Sequence, residues 1–189
     1  MDIKGTFVSV KNFLKEDSWP SFIVSLILAL IIIKFIFFPL LSLATGTELP
    51  LVIVESCSMY HSQSLEQIME NKYYSDYGLN YEDTSDWNLK NGFTKGDIIF
   101  VVGVDEPKIG DVIIFDAGQS NPIIHRVIGI SDSKVFTTKG DNNAGLLVFE
   151  KSILKEQIMG RAVFKVPFIG WIKLIFFDWM KSDGQRGFC

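Results

Sequence analysis

A long uninterrupted apolar run is the feature of this 189-residue chain that most restricts how it can fold. Residues 21–43 read "SFIVSLILALIIIKFIFFPLLSL" and contain a single charged residue, Lys34. As an α-helix they would rise about 34 Å, enough to cross a hydrocarbon core of roughly 30 Å. A cleavable signal peptide has a shorter apolar stretch, of about 7–15 residues, followed by a small-residue cleavage site. We therefore predict a membrane-spanning helix over residues 21–44.

The charges around this helix predict its orientation. Lys4, Lys11 and Lys15 precede it, and the next basic residue after it is Lys72. The positive-inside rule therefore places the N-terminus in the cytoplasm. Everything beyond about residue 45 is then expected outside a cell membrane or in the lumen of the endoplasmic reticulum.

Residues 1–20 have a helical pattern of their own. Ile3, Phe7, Val10 and Leu14 fall on one face of a helix, so we predict a short cytoplasmic segment lying on the membrane surface. Within the span, Lys34 costs about 2.5–3.5 kcal/mol on insertion scales. Its long side chain can snorkel to the interface or face a partner, which leaves room for partner membrane subunits.

Composition excludes several other partners. The net charge is −4 and the pI is about 5.2, so no basic surface indicates nucleic-acid binding. Cys57 and Cys189 are the only cysteines, too few for a disulfide framework and wrongly spaced for zinc. They do not fix the redox compartment, and we expect no metal.

The region from residue 45 to residue 170 has the pattern of a mainly β domain. In "KGDIIFV" (95–101) and "IGDVIIF" (109–115) a Gly-Asp turn leads into an apolar run, so Asp97 and Asp111 are interpreted as structural. Further strands are predicted at Val52–Glu55, Ile123–Ile130, Lys134–Thr138 and 160–166.

Two segments depart from this strand pattern. Residues 60–94 are acidic, polar and aromatic, and we interpret them as an insertion between strands, with no role assigned. Residues 166–180, "VPFIGWIKLIFFDWM", are too short for a confident second span. Packing on the β domain and contact with the outer membrane interface both fit this stretch. The C-terminal segment 171–189 is apolar, and membrane association is one of its two expected placements.

The stretch "IVESCSMYHS" (53–62) places two hydroxyls beside each other at the end of a strand. If it stays extended, Ser56 and Ser58 share one face and Cys57 points to the other. A serine nucleophile needs a base and oxyanion donors, and the only imidazoles are His61 and His125. Taken alone, the motif fits a polar turn at the end of a strand better than it fits a catalytic serine site. Asp141, in the polar loop "KGDNNAG" (139–145), is a further functional candidate.

Six motifs taken together, in order behind an N-terminal anchor, resemble those of type I signal peptidases. They are "SCSM" (56–59), "KGDIIF" (95–100), "IGDVIIF" (109–115), "IIHRVIG" (123–129), "KGDNN" (139–143) and "GRAVFKVPFIG" (160–170). The match is closer to the archaeal and endoplasmic reticulum type, in which histidine replaces the bacterial general-base lysine. The resemblance covers about residues 22–170 and implies a signal-peptidase-like β catalytic domain.

The resemblance implies roles for four residues. Ser58 matches the nucleophile, and Ser56 matches the side chain that assists the oxyanion hole beside the Ser58 amide. His125 matches the general base. Asp141 matches an aspartate that is a candidate for orienting the imidazole, as in a serine triad.

Three positions depart from the family pattern. Cys57 replaces a glycine and His61 a proline. Leu147 stands where many relatives have a second aspartate, about six residues beyond the first. The third triad member is therefore either Asp141 or Glu150. We choose Asp141, with Glu150 the less favoured alternative.

The implied function is a membrane-bound serine endopeptidase that removes signal peptides from exported preproteins after small residues. Its partners would be signal peptides, bound extended along a strand edge, and the lipid bilayer. No cofactor is implied. Two alternatives stay open: a self-cleaving repressor protease with a related fold, and a catalytically silent signal-peptide-binding subunit of an export complex.

Overall fold

A computed structural model describes residues 8, 11–181 and 186–189. The chain divides into two compact units, Met1–Ala44 and Thr45–Cys189. Residues 11–14 are helical. The predicted surface helix also depends on Ile3, Phe7 and Val10, which lie outside the described residues.

The predicted long apolar helix is confirmed. It comprises an α-helix over Trp19–Ile32, a π-helical stretch over Ile33–Phe37 and an α-helix over Phe38–Thr45. The whole segment, Trp19–Thr45, has 27 residues and a mean hydropathy of 2.8, so by length and composition it is able to cross a membrane. Pro39 explains the π-helical stretch, because its ring cannot accommodate a regular bond to the carbonyl four residues earlier.

The second unit is built on a sheet of six antiparallel strands, in agreement with the mainly β prediction. The strands are β1 Leu51–Ile53, β2 Ile98–Val102, β3 Val112–Phe115, β4 Ile123–Ile130, β5 Phe136–Lys139 and β6 Ile158–Val166. Their order across the sheet is β1-β2-β6-β3-β4-β5, so β1 and β5 are the edges. Strand β1 ends two residues before the predicted Glu55.

The Gly-Asp turns lead into β2 and β3 as the sequence pattern predicts. Gly96 and Gly110 have φ values of 89° and 90°, a left-handed conformation that favours glycine. Asp97 accepts the Thr94 N–H at 3.0 Å, and Asp111 accepts the Lys108 N–H at 2.9 Å. Both aspartates therefore close turns.

The insertion forms short helices that pack onto the sheet. These are Leu65–Met69, Lys72–Ser75 and the 3-10 helix Tyr81–Thr84. Met69, Tyr74 and Trp87 pack with Ile128 of β4, and all four are buried. The insertion thereby covers the strand that carries His125.

Short helices also follow β5 and β6. The 3-10 helices Val148–Glu150 and Lys155–Gln157 connect β5 to β6. After β6 come the α-helix Trp171–Phe177 and the 3-10 helix Asp178–Met180. Leu174 is buried, whereas the other large apolar side chains of this last segment are mostly exposed.

Candidate active site

The residues after β1, Glu55–Tyr60, form a turn that we call the serine loop. Backbone pairing with the chain before β2 continues as far as Val54, which bonds to Asp97 and Gly96 at 2.9 Å, and Tyr60 N–H donates to the Cys57 carbonyl at 3.1 Å. The extended geometry considered for Ser56–Ser58 is therefore absent. The two hydroxyls still meet, with Ser56 Oγ and Ser58 Oγ 3.1 Å apart.

Cys57 forms a disulfide with Cys189, 132 residues further along the chain. This bond is not predicted by the sequence pattern. Two cysteines so far apart give no sequence signal for pairing, because only the folded chain brings their positions together.

His125 is held in β4, opposite Ile113 of β3, and is 3% exposed. Glu150 Oε1 lies 2.5 Å from His125 Nδ1. The two atoms lie within hydrogen-bonding distance, although no hydrogen bond of regular geometry joins them. Glu150 also accepts the backbone N–H groups of Gly140 at 3.1 Å and Leu147 at 2.5 Å. Each oxygen of the buried Glu150 carboxylate therefore has a backbone donor.

Glu150 is positioned by a short 3-10 helix that begins just after Leu147. Leu147 precedes the 3-10 helix Val148–Glu150, and the Glu150 side chain reaches back one turn to the Leu147 N–H. The carboxylate of Glu150, three residues beyond Leu147, thereby lies beside His125 Nδ1.

The expected contact between Asp141 and His125 is not the one in the structure. Asp141 pairs with Arg126, whose Nε and Nη2 lie 3.0 and 2.7 Å from Oδ1 and Oδ2. Its Oδ2 is also 2.8 Å from His61 Nε2. Consecutive strand residues point to opposite faces, so the side chains of His125 and Arg126 meet different carboxylates.

The surroundings of Asp141 favour its ionised form. Burial alone would raise the pKa of Asp141. The Arg126 guanidinium and the hydrogen bonds from His61 and Arg126 together lower the pKa by more than burial raises it, so it lies well below its usual range. Tyr74 donates its hydroxyl to Asp141 Oδ1 at 3.1 Å. Burial, followed by the Asp141 charge, raises the pKa of Tyr74.

Residues 139–143, which we call the asparagine loop, lie between the serine loop and His125. Asn142 donates its N–H to the Ser58 carbonyl at 2.8 Å and its side-chain amide to the Cys57 carbonyl at 3.0 Å. On the other side, a Cβ on Gly140 would lie 2.8 Å from His125 Nε2. The loop thereby brings Nε2 and the serine loop into one neighbourhood.

A buried lysine stabilises the asparagine loop. Lys139 Nζ donates to the carbonyls of Gly140 at 3.0 Å and Asn143 at 2.7 Å. Burial lowers the pKa of Lys139, against the opposing charges of Asp141 and Glu150. Two bonds from one ammonium hold the loop in a tight turn.

The hydroxyl of Ser58, the candidate nucleophile, makes no hydrogen bond to His125, the candidate base. Among the described residues, the Ser58 hydroxyl bonds only to Ser56, and the Ser58 N–H makes no hydrogen bond. Catalytic hydrogen bonds often tighten only when substrate is bound. Within the same ranges, no three His, Cys, Asp or Glu side chains are grouped as a metal site.

The structure therefore combines, in one chain, a membrane-length apolar helix with a β-sheet unit that carries a serine pair and a buried histidine–glutamate pair. No protein-family model matches the chain. Curated proteins do match it. The chain is homologous to proteins named signal peptidase complex catalytic subunit SEC11, and the resemblance predicted from its motifs is confirmed.

Three of these relatives indicate the extent of the similarity. SEC11 of Candida albicans (strain WO-1) is 32% identical over 47% of this chain and 60% of its own length. SEC11 of Pyricularia oryzae is 28% identical over 50% and 63%, and SEC11C of Canis lupus familiaris is 32% identical over 50% and 55%. The chain thus spans less than two thirds of each of these relatives.

Proposed function

We propose that this protein is a membrane-bound serine endopeptidase that removes N-terminal signal peptides from exported preproteins by cleaving after small residues. The homology to signal peptidase catalytic subunits supports the reaction. The observation that carries the proposal is the asparagine loop, which is bonded to Ser58 on one side and borders His125 Nε2 on the other.

Ser58 is the proposed nucleophile and His125 its base. With the His125 proton on Nδ1, facing Glu150, Nε2 is free to accept the Ser58 proton while Oγ attacks the scissile carbonyl carbon. Rotation of the Ser58 hydroxyl from Ser56 toward Nε2 is required for this step. The imidazolium then protonates the leaving amine, and water hydrolyses the acyl-enzyme by the same route.

Two donors are proposed to stabilise the oxyanion. The unbonded N–H of Ser58 is one, and the Ser56 hydroxyl, which is 3.1 Å from Ser58 Oγ, is the other. Such donors act most strongly when they are fixed before the reaction, and removing one typically costs about 10²–10³-fold in kcat. The disulfide and the asparagine loop fix the backbone on which both donors lie.

Glu150 is the carboxylate that we propose for stabilising the His125 imidazolium. Its contact with Nδ1 is the type of contact that orients the base in a serine triad. Asp141 instead keeps the Arg126 charge compensated and holds the asparagine loop next to Ser58. We therefore propose that Asp141, the carboxylate preferred from sequence, acts through loop position.

The signal peptide is proposed to bind as an extra strand beside β1. This strand is at one edge of the sheet and leads directly into the serine loop. An extended peptide paired with β1 would pass Ser58 next. Main-chain pairing with an edge strand supplies affinity without requiring a fixed sequence, which suits varied signal peptides.

Lipid is the proposed neighbour of the C-terminal helices. Ile172, Phe176 and Trp179 are 71%, 69% and 68% exposed. The charges of Lys173 and Asp178 are directed into ion pairs with Glu55 and Lys95. An uncharged aromatic surface with tryptophan suits the headgroup zone of a bilayer. We propose that this aromatic surface contacts the outer leaflet and that the N-terminus lies in the cytoplasm. We also propose that the protein has partner membrane subunits.

Cleavage of a purified preprotein by the full chain in detergent or lipid nanodiscs tests the proposal. Ser58→Ala and His125→Ala should each abolish cleavage, whereas Ser131→Ala, which removes an exposed hydroxyl in the β4–β5 turn, should not. Unchanged cleavage by the Ser58→Ala enzyme would exclude Ser58 as nucleophile. Binding of signal peptide without cleavage by the wild-type chain would instead support a silent subunit.

A further inference from the structure

The C-terminal residues 171–181 and 186–189, which we call the brace, are fastened to the serine loop. We propose that the brace positions Ser58 for attack, with Cys57, Cys189, Glu55 and Lys181 as positioning residues. This inference rests on the proposed function, because it assigns these four residues a part in the reaction of Ser58.

The first attachment is covalent. The Cys57–Cys189 disulfide joins the residue directly before Ser58 to the brace, with a Cα–Cα distance of 5.4 Å. Cys189 Sγ also accepts the Lys95 N–H at 3.3 Å, so the far end of the bond is held by the turn that leads into β2.

The second attachment is an ion pair at Glu55. Lys181 Nζ lies 3.0 Å from Glu55 Oε2 and donates to the Glu55 carbonyl at 3.1 Å. Lys173 approaches the other carboxylate oxygen at 3.4 Å. Burial alone would raise the pKa of Glu55, but the two lysines lower it below its ordinary value. Both the side chain and the backbone of Glu55 are thereby tied to the brace.

The brace is itself held by the body of the domain. Lys95 is 1% exposed, and its Nζ is 2.5 Å from Asp178 Oδ1. Trp171 Nε1 donates to the Lys95 carbonyl at 3.0 Å, and the rings of Trp171 and Phe188 are in contact, with centroids 4.3 Å apart and planes inclined by 37°. Movement of the serine loop against the sheet would therefore strain several buried contacts.

The attachments alternate with the hydroxyls along the chain. Glu55 and Cys57 are held by the brace, while Ser56 and Ser58 carry the paired hydroxyls. Asn142 holds the Cys57 and Ser58 carbonyls from the other side. A displacement of about 1 Å in a reacting group can cost on the order of 100-fold in rate. The family resemblance implies glycine at position 57, so the covalent attachment is a departure of this chain.

Reduction of the disulfide tests the proposal, since Cys57 and Cys189 are the only cysteines in the chain. Dithiothreitol converts the bond to two thiols and is itself oxidised to a cyclic disulfide. We expect reduction of the full chain in nanodiscs to lower kcat about 10- to 100-fold and leave KM unchanged. The rate at which a fluorophosphonate labels Ser58 should fall in parallel.

The Cys57→Ala/Cys189→Ala double variant is the matched control. It should begin at the lowered kcat and labelling rate and should not respond to dithiothreitol. Lys181→Met keeps the disulfide while removing an attachment of Glu55, so it should lower kcat by a smaller factor and keep the response to reductant. Lys134→Met, which breaks an exposed ion pair with Glu106, should change neither quantity.

Full kcat and full labelling after reduction would overturn the proposal, as would a rise in KM at constant kcat. If circular dichroism shows that the reduced chain unfolds, the test of the proposal is the Lys181→Met variant, which keeps the disulfide. Normal labelling of Ser58 in that folded variant would overturn the proposal. Failure of the oxidised wild-type chain to cleave any preprotein would count against the proposed function, whereas the labelling rates would still report on the brace.

Discussion

His125 Nδ1 and Glu150 Oε1 are 2.5 Å apart, in side chains that are 4% and 0% exposed. In a site closed to water, a carboxylate beside one ring nitrogen favours the proton on that nitrogen and leaves the other free. The free nitrogen, Nε2, borders Gly140 of the asparagine loop. This relationship separates the two carboxylates of the region, because Asp141 is engaged by Arg126 and His61.

Glu150→Gln should lower kcat about 10²- to 10⁴-fold, since the amide cannot stabilise the His125 imidazolium. Steady-state cleavage of a preprotein measures the effect. Glu156→Gln, at an exposed position of the 3-10 helix Lys155–Gln157, is the control and should retain wild-type kcat. Full activity of Glu150→Gln together with an inactive Asp141→Asn would show that Asp141 is the catalytic carboxylate.

Asp141→Asn should act mainly on stability, because it leaves the buried Arg126 guanidinium without a full counter-charge. Breaking a buried pair in this way costs about 3–5 kcal/mol of the free energy of unfolding. Urea unfolding followed by circular dichroism measures the loss. The residual kcat of the folded fraction should exceed that of Glu150→Gln.

The stability that Asp141 contributes should depend on pH. Its pKa is lowered in the folded state, so the contribution is complete above the unfolded pKa of about 3.9 and is lost as pH falls toward the folded pKa. The difference in unfolding free energy between wild type and Asp141→Asn should shrink as the pH falls below about 4. A constant difference at lower pH would contradict the lowered pKa.

His61→Ala should keep most activity while lowering stability by about 1–3 kcal/mol, because it removes one hydrogen bond to the charged Asp141, whose Oδ2 stays paired with Arg126. Thermal unfolding and kcat, measured on the same preparation, separate the two effects. Loss of activity comparable to that of His125→Ala would make His61 part of the reaction.

Ser56→Ala should lower kcat about 10²-fold with little change in KM, because an oxyanion donor acts only on the transition state. Ser56→Thr retains a hydroxyl and should recover part of the loss. Equal kcat for Ser56→Ala and wild type would mean that the Ser58 N–H stabilises the oxyanion without the neighbouring hydroxyl.

Gly140→Ala should impair the base directly. The added Cβ would lie 2.8 Å from His125 Nε2 and 2.6 Å from Asn143 Nδ2, so one of these groups must move. We expect a loss of kcat on the order of 10-fold or more from the displaced imidazole. Gly118→Ala meets no atom within 4 Å and should affect only stability, through its φ of 67°. Normal kcat in Gly140→Ala would show that the Asn143 side chain moves away from the added Cβ while the His125 imidazole keeps its position.

The fold was largely predictable because its signals are local. Each Gly-Asp turn is followed by an apolar run, and these runs became β2 and β3. Strand β4 has the predicted bounds, Ile123–Ile130, since its apolar residues are uninterrupted apart from His125 and Arg126. The apolar helix needed only length and composition.

The pairing of charged residues was less predictable because it depends on tertiary geometry. The charged pair His125–Arg126 was visible in "IIHRVIG", but not which carboxylate each side chain meets. Asp141 was preferred over Glu150 because of its position in a motif. In the structure, the 3-10 helix Val148–Glu150 brings Glu150, and not Asp141, into contact with His125. A tyrosine from the insertion, Tyr74, joins Asp141 without any sequence signal.

The Cys57–Cys189 bond makes a closed covalent ring of residues 57–189, which includes Ser58, His125 and Glu150. A protease that cuts once within the exposed parts of the insertion would open this ring without separating the fragments. Such a nicked protein would keep its full mass on a non-reducing gel and divide into two bands only after reduction. The ring therefore keeps the nucleophile and its base on one connected molecule even after the peptide chain between them has been broken.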